Sequence, residues 1–314
     1  MMRVIFMGTP DFASGTLQAL IDAGHEIALV VTQPDKPAGR GKQMKASPVK
    51  ELAVSAGLDV YQPARIRDPE AIERLREEQA DVIIVVAFGQ ILPQEVLDLT
   101  PFGCINVHAS LLPAWRGAAP IQWALLNGDQ MTGVTTMQMD AGLDTGDILM
   151  QREVAVEPDE TGGSLFDKLA AAGAELCIET LDKLQAGDNT PVPQGEPTTP
   201  YAKMLTRAMG EIDWSRPAAQ IERMVRGLSP WPGAYTYRNG KRIKICRAAL
   251  RAEEARAQNE AEQAGALIGD KEILRVQTGE GCLEIGEVQP EGKRRMSAAE
   301  YLRGYPVKPD EKMG

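Results

Sequence analysis

The chain has 314 residues, 43% of them hydrophobic and 25% charged, an ordinary globular mixture that excludes a disordered or fibrous protein. The length suits two domains, each able to bury a core without a disulfide or metal staple. No stretch approaches the roughly 18 uninterrupted apolar residues of a membrane helix. Cys104, Cys177, Cys246 and Cys282 are scattered without a CxxC pair, and there are two histidines in total, which gives a zinc site no basis. Met1–Gly8 reads as a strand entering a glycine turn, not as a signal or transit peptide. The expectation is a reduced, cytoplasmic, monomeric protein that needs no metal.

Net charge is −10, which taken alone argues against a nucleic-acid partner. Its distribution reverses that. Residues 1–200 carry 14 Lys and Arg against 28 Asp and Glu; residues 201–314 carry 20 against 16. Within 203–251 the ratio is 11 basic to 3 acidic, and Lys36, Arg40, Lys42, Lys45 and Lys50 form a second acid-free cluster. Such asymmetry is a cue for nucleic-acid contact, although a solvated basic face explains the charge alone equally well.

In chain order, Val4–Met7 is a short apolar strand, followed by a helix over Phe12–Ala23 and a buried strand over Ile27–Val31. Pro34, Pro37, Gly39 and Gly41 then predict an irregular loop. Ser47-Pro48 opens a helix with proline at its first position. Asp68–Gln79 is a charged helix and Asp81–Ala87 a buried central strand. Cys104–His108 and Val134–Met139 read as strands around a helical Pro120–Leu126, and Ser164–Leu184 as a long amphipathic helix. This alternation predicts an α/β, Rossmann-like domain over 1–187 with a parallel or mixed sheet.

Residues 188–204 are linker by composition. Beyond them, a helix over Pro217–Gly227 precedes short strands at Ala234–Tyr237, Arg242–Arg247, Ile273–Gln277 and Cys282–Ile285. Asn239-Gly240 is a type I′ hairpin signal. Residues 205–314 therefore form a small β-barrel domain, OB-like being one option. Arg251–Gln263 reads equally as helix or solvated loop.

The strand–turn–helix at the N-terminus invites a dinucleotide site. Its turn, Gly8-Thr9-Pro10-Asp11-Phe12-Ala13-Ser14-Gly15, is not GxGxxG, and Pro10 removes a backbone donor. The informative stretch is Asn106-Val107-His108-Ala109-Ser110-Leu111-Leu112-Pro113. Asn106 and His108 are two apart on a strand, so they share a face, at the strand end where α/β crevices open. A satisfied polar pair reads as well on those residues alone. Asp140-Ala141-Gly142-Leu143-Asp144-Thr145-Gly146-Asp147 adds three carboxylates and two glycines in eight residues directly after a buried strand, without EF-hand spacing. Cys104 shares the parity of Asn106 and His108 but lies deeper, which predicts a core role.

Together, Asn106-x-His108-x-Ser110-Leu111-Leu112-Pro113 and Asp144 resemble the signature of the folate-dependent formyltransferases. The resemblance extends to Phe6-Met7-Gly8-Thr9-Pro10, the loop Pro34–Lys42, Trp115-Arg116-Gly117-Ala118-Ala119-Pro120, Met139–Asp147 and Leu228-Ser229-Pro230-Trp231-Pro232-Gly233-Ala234. It is looser over 248–265. It implies transfer of a formyl group from 10-formyltetrahydrofolate to the α-amine of methionyl initiator tRNA. Asn106 would donate to the developing oxyanion, His108 would move the proton or, as imidazolium, help hold the oxyanion, and Asp144 would orient His108, favour its charged form and position a water. By the same resemblance the folate lies along Ser110, Leu111, Leu112 and Pro113. Its pterin is held by the main chain near Phe88, Gly89, Ile91 and Leu92 and by the 140–144 loop that Asp140 opens; the apolar side chains of Phe88, Ile91 and Leu92 suit a flat heterocycle, though a core role fits Ile91 equally well. Contacts to tRNA fall to Arg40, Lys42 and Lys45 in the first domain and to Arg238, Lys241, Arg242 and Lys244 in the second. No metal or nucleotide is implied.

Three other readings compete. A formyltransferase acting on glycinamide ribonucleotide or an amino sugar would share the Asn-His-Asp set, but leaves the basic second domain without a purpose. A folate hydrolase would share the set and need no amine acceptor. A non-catalytic RNA-binding module would have no use for the set.

Overall fold

The computed structural model describes residues 1–38, 43–250, 264–269 and 272–314. The chain forms two compact units. One comprises Met1–Pro120, Met131–Ala155 and Phe166–Ala202; the other comprises Ile121–Gln130, Val156–Leu165 and Lys203–Gly314.

The first unit is built on β1 (Arg3–Gly8), α1 (Asp11–Asp22), β2 (Glu26–Val31), β3 (Lys36–Ala38), β4 (Gln43–Lys45), α2 (Pro48–Ser55), β5 (Val60–Tyr61), α3 (Pro69–Glu77), β6 (Val82–Val86), α4 (Gln94–Leu97) and β7 (Cys104–His108). After α5 (Pro120–Asn127) come β8 (Met131–Gln138), β9 (Ile148–Ala155) and the long α6 (Gly162–Ala186). The sheet order is β5-β2-β1-β6-β7-β8-β9. The first five strands in that order run parallel, and β8 and β9 are added antiparallel.

Alternation sorts the side chains of these strands. Ile5, Met7, Leu29, Val31, Ile83, Val85 and Cys104 form one apolar face with Ile72 and Leu75 of α3 and Val96 and Leu97 of α4. Val107 points the other way, toward Gly173 of α6. Thus the residues flanking Val107 in β7, Asn106 and His108, inherit the α3 and α4 side. Ser47 caps α2 as its sequence promises, its hydroxyl accepting the Lys50 backbone N–H at 3.1 Å.

Residues 36–38 and 43–45 correct the expected irregular loop, of which Gly39 and Gly41 lie outside the described residues. β3 and β4 pair antiparallel, with Lys36 directly opposite Lys45. Proline fits because a two-stranded ribbon is all edge and tolerates a missing donor. β5, α4 and β9 also escaped the sequence reading, being short or, for β9, lacking a continuous apolar run.

In the second unit, α7 (Ala218–Gly227) packs on an antiparallel sheet of β10 (Ala234–Arg238), β11 (Lys241–Leu250), β12 (Leu267–Gly269), β13 (Leu274–Gln277), β14 (Cys282–Pro290) and β15 (Met296–Ser297), followed by α8 (Ala298–Gly304). The order is β10-β11-β14-β13-β12, with β15 on β14. Asn239 and Gly240 turn the first hairpin at φ 51° and 72°, the geometry of a type I′ turn. The sheet curls. Residues 311–314 run between its two outer strands: Met313 bridges Arg238 at one edge, and Lys312 bridges Ala266 beside the other. The expected barrel is therefore a curled sheet whose seam is bonded by the chain's last residues. The stretch 251–263 lies outside the described residues.

This seam has a buried ionic clasp. Glu311 receives Arg238 through Nε at 3.0 Å and Nη2 at 2.7 Å, and Arg238 also donates to the Tyr305 and Pro306 carbonyls. Bonding to Arg238 holds the Glu311 carboxyl down at about 2. A carboxyl depressed in the folded state contributes stability above its ordinary value near 4.5 and loses it as pH falls toward 2. Glu311→Gln leaves Arg238 buried without its counter-charge, which costs about 3–5 kcal/mol. Urea unfolding at pH 7 should show that loss. It should also show less acid sensitivity between pH 4.5 and 2 than the parent; equal sensitivity would place the acid-labile group elsewhere.

Candidate active site

Carboxyl ends of parallel strands are where an open α/β sheet leaves a crevice. Here those ends carry Thr9 after β1, Phe88–Gly89 after β6 and Ala109–Trp115 after β7. His108 is buried at 6% exposure and Asn106 at 9%. Cys104, on the same face, is fully buried with its thiol directed at the Val96 carbonyl, and burial pushes that thiol up to about 12. It is a core residue, as its depth predicted.

Each His108 ring nitrogen faces an oxygen. Nε2 lies 3.1 Å from the Trp115 carbonyl. A carbonyl only accepts, so Nε2 carries a hydrogen. Nδ1 faces Asp144 Oδ1 at 3.7 Å. The other Asp144 oxygen accepts the Gly117 backbone N–H at 2.9 Å. Among the described residues nothing takes up the Asn106 side-chain amide, which is thus free to donate to a reacting oxygen.

The loops around these groups are tightly specified. Asp140 accepts from Gly142 N at 3.0 Å and Thr145 Oγ1 at 2.7 Å, folding the turn that presents Asp144. At Gly146 an added Cβ would sit 1.7 Å from the Gln138 carbonyl, so no other residue fits. Ser110 Oγ donates to Ala114 O at 2.6 Å, and Gln151 Nε2 donates to Leu112 O at 2.8 Å. Ser110 is fully buried and Leu112 nearly so; their side chains shape the 110–115 turn from within, while Leu111 and Pro113 are half-buried.

At the proposed pterin stretch the side chains depart from expectation. Phe88 and Leu92 are buried in the core cluster, so neither presents an apolar surface to a ligand. Ile91 is 76% exposed, which removes its core reading. Gly89 is exposed with φ 82°, and the Phe88 carbonyl accepts from Thr9 Oγ1 and Gln33 Nε2, each at 3.2 Å. This stretch offers a ligand its backbone and Ile91.

The basic residues divide. Arg238 belongs to the buried clasp, with its side chain 4% exposed and its guanidinium 5.4 Å above the Tyr301 ring; its assignment to tRNA contact is corrected. A charge count along a strand does not register that alternate residues point inward. Arg242 and Lys244 alternate with buried Ile243 and Ile245 and line a surface depression with Gln289, Pro290, Glu291 and Gly292. Arg242 stacks on Tyr235 at 4.2 Å. Lys241 and Lys45 are exposed. Arg40 and Lys42 lie outside the described residues.

The sequence reading missed Trp115 as a partner of His108, and it took 188–204 as a linker. Residues 189–202 instead bond back to the first unit: Val192 exchanges backbone bonds with Ile148, Gln194 donates to the Asp144 and Gly146 carbonyls, and Thr199 accepts from Trp115 N. No sequence signal marks a lone glutamine or threonine between prolines.

Residues 2–181 match the sequence model of a family described as formyl transferase, and 204–306 match that of its C-terminal domain. The chain belongs to the formyl transferase family. A relative in Agathobacter rectalis named methionyl-tRNA formyltransferase is 55% identical over 98% of this chain and 97% of its own. One of the same name in Geotalea daltonii is 48% identical over 100% and 98%. Two solved structures share the fold. HypX from Aquifex aeolicus, in complex with tetrahydrofolic acid, has a TM-score of 0.64 at 20% identity, covering 99% of this chain and half of its own. The sugar 3N-formyl transferase WlaRD has a TM-score of 0.68 at 17% identity, covering 94% and 99%. Among the described residues of this formyl transferase, no cluster of three or more His, Cys, Asp or Glu could hold a metal ion. No described helix is long and apolar enough to cross a membrane.

Asp144 adopts φ 56°, a left-handed conformation that Asn also tolerates. Asp144→Asn retains an oxygen for Gly117 N–H but loses the charge beside His108, whereas Asp144→Ala loses both. Both should lower kcat, and Asp144→Ala should also lower Tm by several degrees; equal Tm losses in the two variants would show that the Gly117 bond does not hold the loop.

Proposed function

We propose that this formyl transferase moves the formyl group of 10-formyltetrahydrofolate to the α-amine of methionyl initiator tRNA, acting as a cytoplasmic monomer. The observation that carries this is identity of 47–55% over nearly the whole chain to relatives named for that activity, joined to a buried histidine flanked by a carboxylate.

The reaction forms a bond from the amine nitrogen to the formyl carbon and breaks the bond from that carbon to N10. The amine sheds a proton, N10 gains one, and the formyl oxygen carries negative charge between. Asn106 donates its free amide to that oxygen; such a donor is worth about 3–4 kcal/mol. His108 passes the proton through Nδ1, the nitrogen not committed to Trp115, and Asp144 beside it balances the positive charge that then develops. The folate lies along 110–113, and its pterin meets the backbone of 88–90 and the loop opened by Asp140. Cys104 is buried and takes no part, so no covalent enzyme adduct is required.

Two ribbons supply the charge for tRNA. In β3–β4, Lys36 and Lys45 stand directly opposite each other, a repulsive pair that an anionic partner relieves. In β10–β11, no carboxylate among the described residues forms an ion pair with Lys241, Arg242 or Lys244, which leaves them for phosphates. Arg40 and Lys42 are assigned to the acceptor end of the tRNA.

Transfer of labelled formyl groups into charged initiator and elongator methionyl-tRNA tests the function; transfer to neither, or turnover without an acceptor, would refute it. His108→Ala and Asp144→Asn should each lower kcat by roughly 10²–10⁴, with the double variant far short of the product of the two losses. Arg242→Ala with Lys244→Ala should weaken both tRNA species alike and flatten the log K against log salt slope by about one to two contacts. Transfer at saturating tRNA should survive; an unchanged slope would mean that tRNA is held elsewhere.

A further inference from the structure

Both partners of His108 are themselves held by one segment. Gln194 Nε2 donates to the Asp144 carbonyl at 3.0 Å and the Gly146 carbonyl at 2.6 Å. Its Oε1 accepts from Arg116 Nε at 2.9 Å, so the orientation of the amide is fixed from both ends. Thr199 Oγ1 accepts the Trp115 backbone N–H at 2.7 Å. The Thr199 hydroxyl proton is directed to the Pro200 carbonyl at 3.3 Å, which leaves a lone pair for Trp115. The segment is anchored on either side of these two residues. Val192 pairs with Ile148 at 2.8 and 2.9 Å, and Ala202 exchanges bonds with Arg116 and Ala118 at 2.8 Å each.

What it holds would not hold itself. Trp115 and Asp144 both have φ 56°, a left-handed backbone that is costly for an aromatic residue and persists only where the surroundings over-determine it. Trp115 presents its carbonyl to Nε2 of His108, and Asp144 presents its carboxylate to Nδ1. Gly117, whose N–H fixes the second Asp144 oxygen, has φ 127°, and a Cβ there would lie 2.6 Å from the Ala202 carbonyl. Each contact that sets the His108 ring thus passes through a residue touched by 194–202.

We propose that Gln194 and Thr199 are positioning residues of the transfer: Gln194 sets Asp144, and Thr199 sets the Trp115 carbonyl, where the His108 ring requires them. The proposal rests on the role given to His108 above. Neither residue contacts the reacting atoms. Their effect is through the geometry of the proton path, so it falls on kcat and leaves substrate binding nearly intact.

Gln194→Met keeps length and loses every hydrogen bond of the amide; Thr199→Val keeps shape and loses the acceptor; Thr199→Ser keeps the acceptor. The expected result is a fall in kcat of roughly 10- to 100-fold for Gln194→Met and Thr199→Val, with KM for both substrates within about 3-fold and with recovery in Thr199→Ser. In a His108→Ala background the same changes should cost less than about 2-fold, since the group they serve is gone.

A second readout does not depend on activity. The chain has two histidines, so nitrogen NMR of labelled imidazoles resolves His108 with His25 as internal control. The parent should show the neutral His108 ring as its Nε2–H form, and both variants a mixture of the two tautomers, with His25 unmoved. The proposal is overturned by an unchanged kcat, by a rise in KM for tRNA alone, by a loss undiminished in the His108→Ala background, or by unaltered His108 signals. A parent inactive on initiator tRNA would instead refute the proposed reaction, and the NMR comparison would still decide the positioning roles.

Discussion

A buried imidazole between two acceptors is the constraint on which this structure turns. The Trp115 carbonyl on one ring nitrogen and the Asp144 carboxylate on the other divide the work of the ring. A carbonyl oxygen fixes the hydrogen on Nε2, and only Nδ1 is left to gain and lose a proton beside a negative charge. Both acceptors come from loops after strands, and loops do not hold such positions unaided. Hence the two left-handed residues, the glycine at 146 that alone fits against the Gln138 carbonyl, and the Asp140 turn. The sheet supplies His108 and Asn106 on one face; the surrounding backbone supplies their orientation.

Charge is arranged on a coarser scale. Residues 1–200 carry twice as many acids as bases, so an RNA is repelled by most of the unit that does the chemistry. Attraction must be local; among the described residues, Lys36 and Lys45 of the first basic cluster lie on the β3–β4 ribbon, and Lys241, Arg242 and Lys244 of the second lie on the β10–β11 hairpin. A ribbon suits this purpose because one face can pack while the next side chains point outward. In β11 Ile243 and Ile245 do the first, Arg242 and Lys244 the second. The stacking of Arg242 on Tyr235 orders the guanidinium in advance, so a phosphate bound there would cost it less freedom.

The fold was legible where local chemistry and burial agree. β7 spans Cys104–His108 as its pattern reads, α2 starts at its proline, and Asn239-Gly240 turns its hairpin. The Asn106–His108 pair was visible because a strand's period places them together. What was not legible depended on backbone groups or on contacts distant in sequence. Trp115 enters through a backbone carbonyl, which any residue possesses. Gln194 reaches Asp144 across 50 residues, and its neighbours Pro191, Pro193 and Pro197 describe how the segment runs, not what it lies against. Arg238 as a ligand contact, and the side chains of Phe88 and Leu92 as an apolar surface for a heterocycle, failed for one common reason: composition reports a side chain's chemistry, and only packing decides whether it faces solvent.

Arg238 shows what such a miss conceals. Its neighbours in the β10–β11 hairpin face outward, and the hairpin is an edge of the sheet, where pairing on one side is lacking. The clasp with Glu311, together with the Met313 bridge and the Gly314 N–H bond to Tyr237 O at 3.0 Å, supplies that missing side. A basic residue turned inward thus steadies the ribbon whose other basic residues turn outward. Deleting its charge would loosen the surface that carries Arg242 and Lys244, and in a binding assay alone that would be indistinguishable from loss of a direct contact. Burial separates the two causes before any assay is run: the Arg238 side chain is 4% exposed, too enclosed for a phosphate to reach.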